Sequence, residues 1–216
     1  VTFASSLQTG ATATASVTKT GGGTLTFTAV NTYTGTTRVN GGRIVLTGGD
    51  DRLAPASSIL LGTGAASGIV QLGDASTASS QTIKSITTAG SGTANATVGG
   101  NAAISTLTVN NSAAASYGGL LGGAGTNENN LALAKSGSGT LTLTNTGNSF
   151  TGGTTLNQGT LSFASGALGT GLVTIANVAT VQWFTGNTTD LSTTNGIAIA
   201  DGVTATLDAN GNSFTL

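Results

Sequence analysis

The side chains that could do acid–base or metal chemistry are few in this chain. Of its seven acidic residues, only Asp50 and Asp51 are adjacent. With Arg52 beside them, they could bind calcium or act on a sugar. However, neighbouring strand residues point to opposite faces, which separates two adjacent carboxylates. The pair also follows Gly48-Gly49. We therefore expect a solvated turn here.

A second candidate is the series Asp208, Asn210 and Asn212, whose spacing resembles part of a calcium loop. No acidic residue follows where a bidentate ligand would be needed, so a turn is favoured. The chain has no His and no Cys, which excludes Ser-His-Asp, Cys-His and thiolate metal sites. We interpret Lys135-Ser136 as scaffold. The sequence thus predicts no catalytic residue, no metal ligand and no cofactor.

Composition restricts the function classes further. Charged residues make up 6% of the 216, and the net charge is −1, whereas about a quarter of a typical globular protein is charged. Nucleic-acid binding needs a basic face and is therefore disfavoured. The most apolar stretch, residues 172–184, is too short and too polar to span a bilayer. Because the sequence starts at Val1 without a leader, we expect a processed or excised segment.

Short runs of alternating character recur along the chain, separated by Gly, Asn, Asp or Ser. In Thr24-Leu25-Thr26-Phe27-Thr28 the two apolar side chains share one face and the threonines share the other. Each run predicts a strand of three to six residues. The predicted strands are 24–28, 43–46, 69–72, 104–109, 140–144, 160–163, 173–175, 180–184, 197–199 and 204–207. Strands this short bury little surface individually and are expected to stack.

An internal repeat decides between architectures. Residues 19–46 read KTGGGTLTFTAVNTYTGTTRVNGGRIVL, and residues 135–163 read KSGSGTLTLTNTGNSFTGGTTLNQGTLSF. Lysine, glycines, asparagine and an aromatic residue recur in the same order, with Thr36 in the first copy where the second has Gly153. A partial third copy covers residues 211–215. Fixed internal repeats are typical of solenoids.

We therefore predict an all-β chain, a single right-handed parallel β-helix over residues 1–216. Glycine supplies positive φ at corners, asparagine can stack between coils, and inward Leu, Ile, Val and Phe fill a narrow core. At roughly 20 residues per coil, about ten coils are expected. The alternative is an antiparallel sandwich, but its hairpin signals are few, mainly Asn40-Gly41 and Asn210-Gly211.

The two copies resemble the passenger-associated transport repeat, also called the autotransporter-associated β-strand repeat. The shared pattern is K-x-G-x-G-T-L, then N-x-Y/F-x-G, then a turn ending in G-x-L. The resemblance covers about a quarter of the chain by motif. It implies a parallel β-helix on a bacterial surface, in which the repeat is scaffold and carries no active site.

Neither end of the sequence shows the polar cap that usually closes a solenoid. Copies that stack end to end would form a filament; the alternative is a segment of a longer repeat protein. The candidate inter-subunit contacts are Val1, Phe3, Phe214 and Leu216. Trp183 is the candidate adhesive contact if it faces outward, and it packs in the core or between subunits otherwise.

The sequence therefore predicts a non-enzymatic, extracellular structural solenoid at a bacterial surface, forming a stalk or a head-to-tail filament. The alternative is an adhesin that binds a surface or a glycan. Ice binding by Thr-x-Thr rows is weaker, because strands such as 43–46 interrupt the array that 24–28 and 140–144 would share. A polysaccharide-degrading enzyme is the weakest alternative, and an acidic cluster on one face would revive it. Self-association is the expected partnership; no nucleic acid and no membrane span are expected.

Overall fold

The structure, a computed structural model, describes residues 1–8 and 14–213. Within this part lie twenty-one short strands and one helical turn. The first ten strands are β1 (Thr2–Phe3), β2 (Val17–Lys19), β3 (Thr24–Phe27), β4 (Thr36–Val39), β5 (Gly42–Leu46), β6 (Ser58–Leu61), β7 (Gly68–Leu72), β8 (Gln81–Ile83), β9 (Ser85–Thr88) and β10 (Ala96–Gly99). The others are β11 (Ser105–Asn110), β12 (Ala115–Tyr117), β13 (Leu120–Leu121), β14 (Leu131–Ser136), β15 (Thr140–Leu143), β16 (Thr154–Leu156), β17 (Gly159–Phe163), β18 (Val173–Ile175), β19 (Ala179–Trp183), β20 (Ile197–Ile199) and β21 (Thr206–Asp208), with helix α1 (Leu191–Thr194) between β19 and β20.

Parallel ladders join these strands into three faces of a solenoid, as predicted. The first face is β1-β3-β5-β7-β10-β13, and the second is β8-β11-β14-β16-β18-β20. The third face consists of the sheets β2-β4-β6-β9 and β12-β15-β17-β19-β21, which meet where β9 contacts β12. All pairings between these strands are parallel, so the antiparallel sandwich is excluded.

The chain visits the three faces in a constant order. In the central turns it passes through β7, β8 and β9, and then through β10, β11 and β12. In the first turns an irregular segment replaces the second-face strand: the Asn31 N–H donates to the Arg52 carbonyl. In the last turns an irregular segment replaces the first-face strand, and the Thr170 N–H donates to the Phe150 carbonyl.

The solenoid has about eight turns, slightly fewer than the ten expected. The difference follows from longer turns. Thr24 pairs with Arg43, an advance of 19 residues, but Ile69 pairs with Ala96, an advance of 27. The extra residues lie in corners between strands, where they cost little because corners face water.

The core is a column of inward apolar side chains, as the alternating runs predicted. In β11, Leu107 and Val109 are buried, and Thr106 and Thr108, which alternate with them, face outward. Leu107 lies in register with Leu133 of the next turn. Burying such a side chain contributes about 1.5–3 kcal/mol. The largest fully buried side chains are Trp183, Tyr33, Tyr117, Phe27, Lys135, Phe150, Phe163, Ile44, Leu46, Leu53, Ile59 and Leu61.

The single helical turn α1 was not predicted from the sequence. Asp190 caps it, because its carboxylate accepts from the Ser192 backbone N–H at 2.8 Å. Leu191, its first residue, enters the core with 0% exposure. In the described part of the chain, no helix has the length and apolar character to cross a membrane.

Candidate functional site

Trp183, the candidate adhesive residue, lies in the core and not on the surface. It is 0% exposed and packs against Phe163, with ring centroids 5.2 Å apart. Its indole Nε1 donates to the Thr189 carbonyl at 2.8 Å. Phe184, the next residue, takes the outward position and is 40% exposed. The outward, adhesive interpretation of Trp183 was therefore wrong, and the core interpretation describes it.

The candidate contacts at the ends are placed only in part. Val1 is 86% exposed, and its backbone carbonyl accepts from the Thr26 N–H in the next turn. Phe3 is 39% exposed and packs edge-on against Phe27, with centroids 6.1 Å apart. Phe214 and Leu216 lie outside the described residues. Their role in subunit contacts stays a prediction.

The lysine at the start of each repeat copy donates hydrogen bonds to three backbone carbonyl oxygens, which we call its cage. The Lys135 ammonium donates to the carbonyls of Ser136, Gly137 and Gln158 at 2.7, 2.8 and 3.2 Å. Lys19 does the same with Thr20, Gly21 and Gly41 at 2.7, 2.6 and 3.1 Å. In each cage two carbonyls come from the lysine's own corner and the third from the next turn. The lysine therefore ties two turns together at one corner.

Burial distinguishes the two lysines. Lys135 has 0% of its surface exposed, whereas Lys19 is half-buried. Burial disfavours the ammonium form and lowers the pKa of Lys135 to about 8. The ammonium form has a hydrogen for each of the three carbonyls, whereas the neutral amine keeps two and can donate to two of them.

One glycine of the motif is required by the same corner. Gly159 has φ +74° and Gly42 has φ +69°, a region that side chains disfavour. A Cβ on Gly159 would overlap the carbonyl oxygens of Gly137 and Gly139 in the preceding turn. Only glycine lets the chain pass so close to the cage.

The motif asparagine links three successive turns. Asn31 accepts from the Leu7 N–H of the turn before and donates to the Arg52 carbonyl of the turn after, both at 2.8 Å. Asn148 accepts from the Leu121 N–H at 2.9 Å and donates to the Ala167 carbonyl at 2.7 Å. Both side chains are buried. In the irregular segments of these turns, where strand pairing is absent, the asparagine side chains supply hydrogen bonds between neighbouring turns.

The residue pattern that builds these corners is that of a known family model. The model of the passenger-associated-transport-repeat matches residues 17–46 and 133–163. We call these two segments, which are similar to that repeat, the passenger repeats. Each includes the motif predicted from the sequence, with two further residues before the lysine, and together they cover less than a third of the chain. No curated protein and no solved structure matches the chain.

The two passenger repeats occupy different sides of the solenoid. In the first, β2 and β4 lie on the third face, and β3 and β5 lie on the first. In the second, β14 and β16 lie on the second face, and β15 and β17 lie on the third. The same motif thus forms the same corners on faces that are shifted by one position around the solenoid. The repeat is a local corner-and-strand unit that does not depend on a particular side of the rod.

The passenger repeats differ at one buried hydroxyl. In the first, the Tyr33 hydroxyl and the Thr37 Oγ1 are hydrogen-bonded at 2.8 Å, and burial raises the pKa of Tyr33 to about 12. In the second, Phe150 replaces the tyrosine, and the equivalent Thr154 Oγ1 is buried without a hydrogen-bond partner in the described part of the chain. An unsatisfied buried hydroxyl is destabilising.

We therefore expect Thr154→Val to raise the free energy of unfolding by about 1 kcal/mol, because it removes an unsatisfied hydroxyl and keeps the shape. Thr37→Val is the matched control and should lower it, since the Tyr33 hydroxyl then loses its partner. Urea unfolding followed by circular dichroism measures both. Loss of stability in Thr154→Val would show that its hydroxyl has a partner after all.

The acidic candidates are used in turns, as expected: Asp50 and Asp51 lie between strands, and Asp208 ends β21 at the start of a turn. The Asp50 carboxylate accepts from the Ser80 N–H, and that of Asp51 accepts from the Thr82 N–H, both at 2.7 Å. The Asp208 carboxylate accepts from the Asn210 N–H at 2.8 Å. No three acidic residues come together into a metal-binding group among the residues that the structure describes. The acidic cluster that would have revived the enzyme alternative was not found there.

Concave regions lie on the sides of the solenoid, and two of them have apolar floors. One is a pocket of about 500 Å³ beside α1, with Phe163, Leu168 and Leu191 at its floor. Its polar lining residues are Ser165, Thr170, Thr189, Asp190, Thr194 and Asn195.

The other is a groove of about 400 Å³ on the outside of the first face, floored by Ile69, Ala96 and Leu120. It ends at an ion pair of 2.8 Å between Arg43 and Glu128. Burial raises the pKa of Glu128, but the hydrogen bonds from Arg43 and the Gly125 N–H, together with the positive charge of Arg43, outweigh this and hold the pKa below its usual range. The pair spans 85 positions, and no local pattern could have revealed it.

Proposed function

We infer from the two passenger repeats and the parallel solenoid that this chain is an autotransporter passenger-like repeat protein. The repeat implies a secreted or cell-surface location. We propose that the chain serves there as a non-enzymatic structural rod, whose turns continue by head-to-tail stacking onto further solenoid. The motif residues support a scaffold role, because Lys135, Gly159 and Asn148 are all used in joining turns.

The observation that carries the stacking proposal is an open core in the outermost described turns. Phe3, Ile199 and Leu207 are 39%, 49% and 37% exposed. Their in-register partners Phe27, Ile175 and Val181 are each 0% exposed. The exposed residues lie in the outermost described turns, and their covered partners lie one turn further in. A second solenoid would cover this apolar surface and pair the free strand edges.

Charge placed on this end should prevent stacking. We expect the double substitution Ile199→Lys and Leu207→Lys to abolish association of the purified chain, because two ammonium groups would be buried at the junction. Val178→Lys is the matched control, since Val178 is 71% exposed in the corner between β18 and β19. Sedimentation velocity over a concentration series separates the variants. Equal association of the double variant and the wild type would contradict stacking through this end.

An adhesin remains the second candidate, and the pocket beside α1 is the observation that favours it. Its apolar floor and hydroxyl-rich rim suit an uncharged sugar. Glycan binding that Thr170→Trp abolishes by filling the pocket would support this function. Glycan binding that survives Thr170→Trp would show that the glycan binds outside this pocket.

A further inference from the structure

The chain has three Asn-Gly pairs, and their surroundings differ sharply. They are Asn40-Gly41, Asn195-Gly196 and Asn210-Gly211. In such pairs the glycine backbone nitrogen can attack the asparagine side chain, because no Cβ on the following residue obstructs it. Reaction requires that both the attacking nitrogen and the side-chain amide be free to move.

Asn210 meets this requirement. It is exposed, and in the described part of the chain its side-chain amide has no hydrogen-bond partner. Gly211 is exposed too, and a Cβ added there would meet no other atom of the described residues within 4 Å. Both residues have positive φ, 48° and 77°, and the Asn212 N–H donates to the Ala209 carbonyl at 2.9 Å. They form the central pair of a type I′ turn, which leaves the Gly211 N–H unbonded.

Asn195 is held at both reacting groups. Its amide Nδ2 donates to the carbonyls of Leu168, Gly169 and Gly171 at 3.4, 3.1 and 2.9 Å. The Gly196 N–H donates to the Leu191 carbonyl at 2.6 Å. Asn40 is half-buried between stacked turns. The molecule therefore contains its own internal controls.

We propose that Asn210 is a site of spontaneous deamidation and isomerisation. The Gly211 nitrogen gives up its proton and forms a bond to the side-chain Cγ of Asn210, and the amide nitrogen leaves as ammonia. Water then opens the cyclic imide at either carbonyl, giving aspartate or isoaspartate at position 210. The step consumes one water and needs no oxidant, metal or enzyme.

The product should loosen the last described turn. A new carboxylate would lie two residues from Asp208, whose own carboxylate accepts from the Asn210 N–H and from Gln182. Isoaspartate also lengthens the main chain within the turn that positions Asn212. The Asn212 side chain donates to the Phe184 carbonyl and accepts from the Gly186 N–H of the preceding turn. Conversion at Asn210 thus weakens the contacts that hold β21 on the solenoid.

The test is to age the folded protein at mildly alkaline pH in heavy-oxygen water and to follow each Asn-Gly pair by peptide mass spectrometry. We expect conversion at Asn210 to exceed that at Asn195 by more than about tenfold, because Asn195 must first break several hydrogen bonds. Conversion at Asn210 no faster than at Asn195 would overturn the assignment.

Asn210→Gln, which does not readily form the five-membered imide, tests the structural consequence. Hydrogen exchange of the β21 amides should accelerate on ageing in the wild type and stay constant in the variant. Equal exchange in the aged wild type and the aged variant would overturn the link to β21.

Discussion

Trp183→Ala is expected to lower the free energy of unfolding by about 3–5 kcal/mol, the range for removing a large aromatic side chain from a core. The indole is fully buried against Phe163, and its Nε1 hydrogen-bonds to Thr189. The substitution therefore removes a large apolar contact and leaves a cavity that the flanking turns cannot fill. It also leaves the Thr189 carbonyl without this donor. Urea unfolding followed by circular dichroism measures the loss.

Phe184→Ala is the control, because the same kind of side chain is removed one residue further along the chain. The Phe184 side chain points away from the core and is 40% exposed. We expect it to cost less than about 1 kcal/mol. If the two substitutions cost the same, or if Phe184→Ala costs more, the inward placement of Trp183 is wrong.

Lys135→Met is expected to lower the free energy of unfolding by about 3 kcal/mol. Methionine keeps most of the apolar stem but leaves three carbonyl oxygens without their donor, and a buried group left unsatisfied costs about 1–3 kcal/mol. Lys84→Met is the matched control, since Lys84 is exposed at a corner and has no comparable cage. Lys19→Met should fall between them, because its cage is half-exposed. Equal effects of Lys135→Met and Lys84→Met would contradict a role for the cage.

The same lysine predicts a pH dependence. Burial lowers the folded-state pKa of Lys135 to about 8, below its ordinary value of 10.5. Between these values the unfolded chain binds more protons than the folded chain, so stability should rise as pH increases through this window. The cost of burying the charge is present in full below pH 8. Urea titrations across the window should show this rise in the wild type and a smaller rise in Lys135→Met.

The strands that could be predicted from the sequence are those with local alternation. The run 140–144 predicted a strand, and β15 covers Thr140–Leu143. Eleven of the twenty-one strands in the described part of the chain were missed, and β14 was one of them although its residues alternate. Strands β8 and β16 were missed too; each carries polar side chains such as Gln81 and Thr154, which obscure the alternation. They are strands because in-register neighbours lie on both sides of β16 and on one side of β8. That information is not local.

The inward direction of the Trp183 side chain could have been predicted from the alternating pattern of its strand. Thr180 and Gln182 face outward in β19, and Val181 and Trp183 are buried. Since alternate residues share a face, the apolar Val181 already indicated that Trp183 points inward. The lysine cages could not be derived in this way. They depend on carbonyls of Gln158 and Gly41 that belong to the following turn.

The measurement that tests the central claim most directly is electron microscopy of the purified chain at increasing concentrations. Stacking through the open core predicts rods of constant width whose length grows with concentration, since each added copy covers one apolar end and exposes another. Separate particles of one length at every concentration would contradict head-to-tail stacking of this chain.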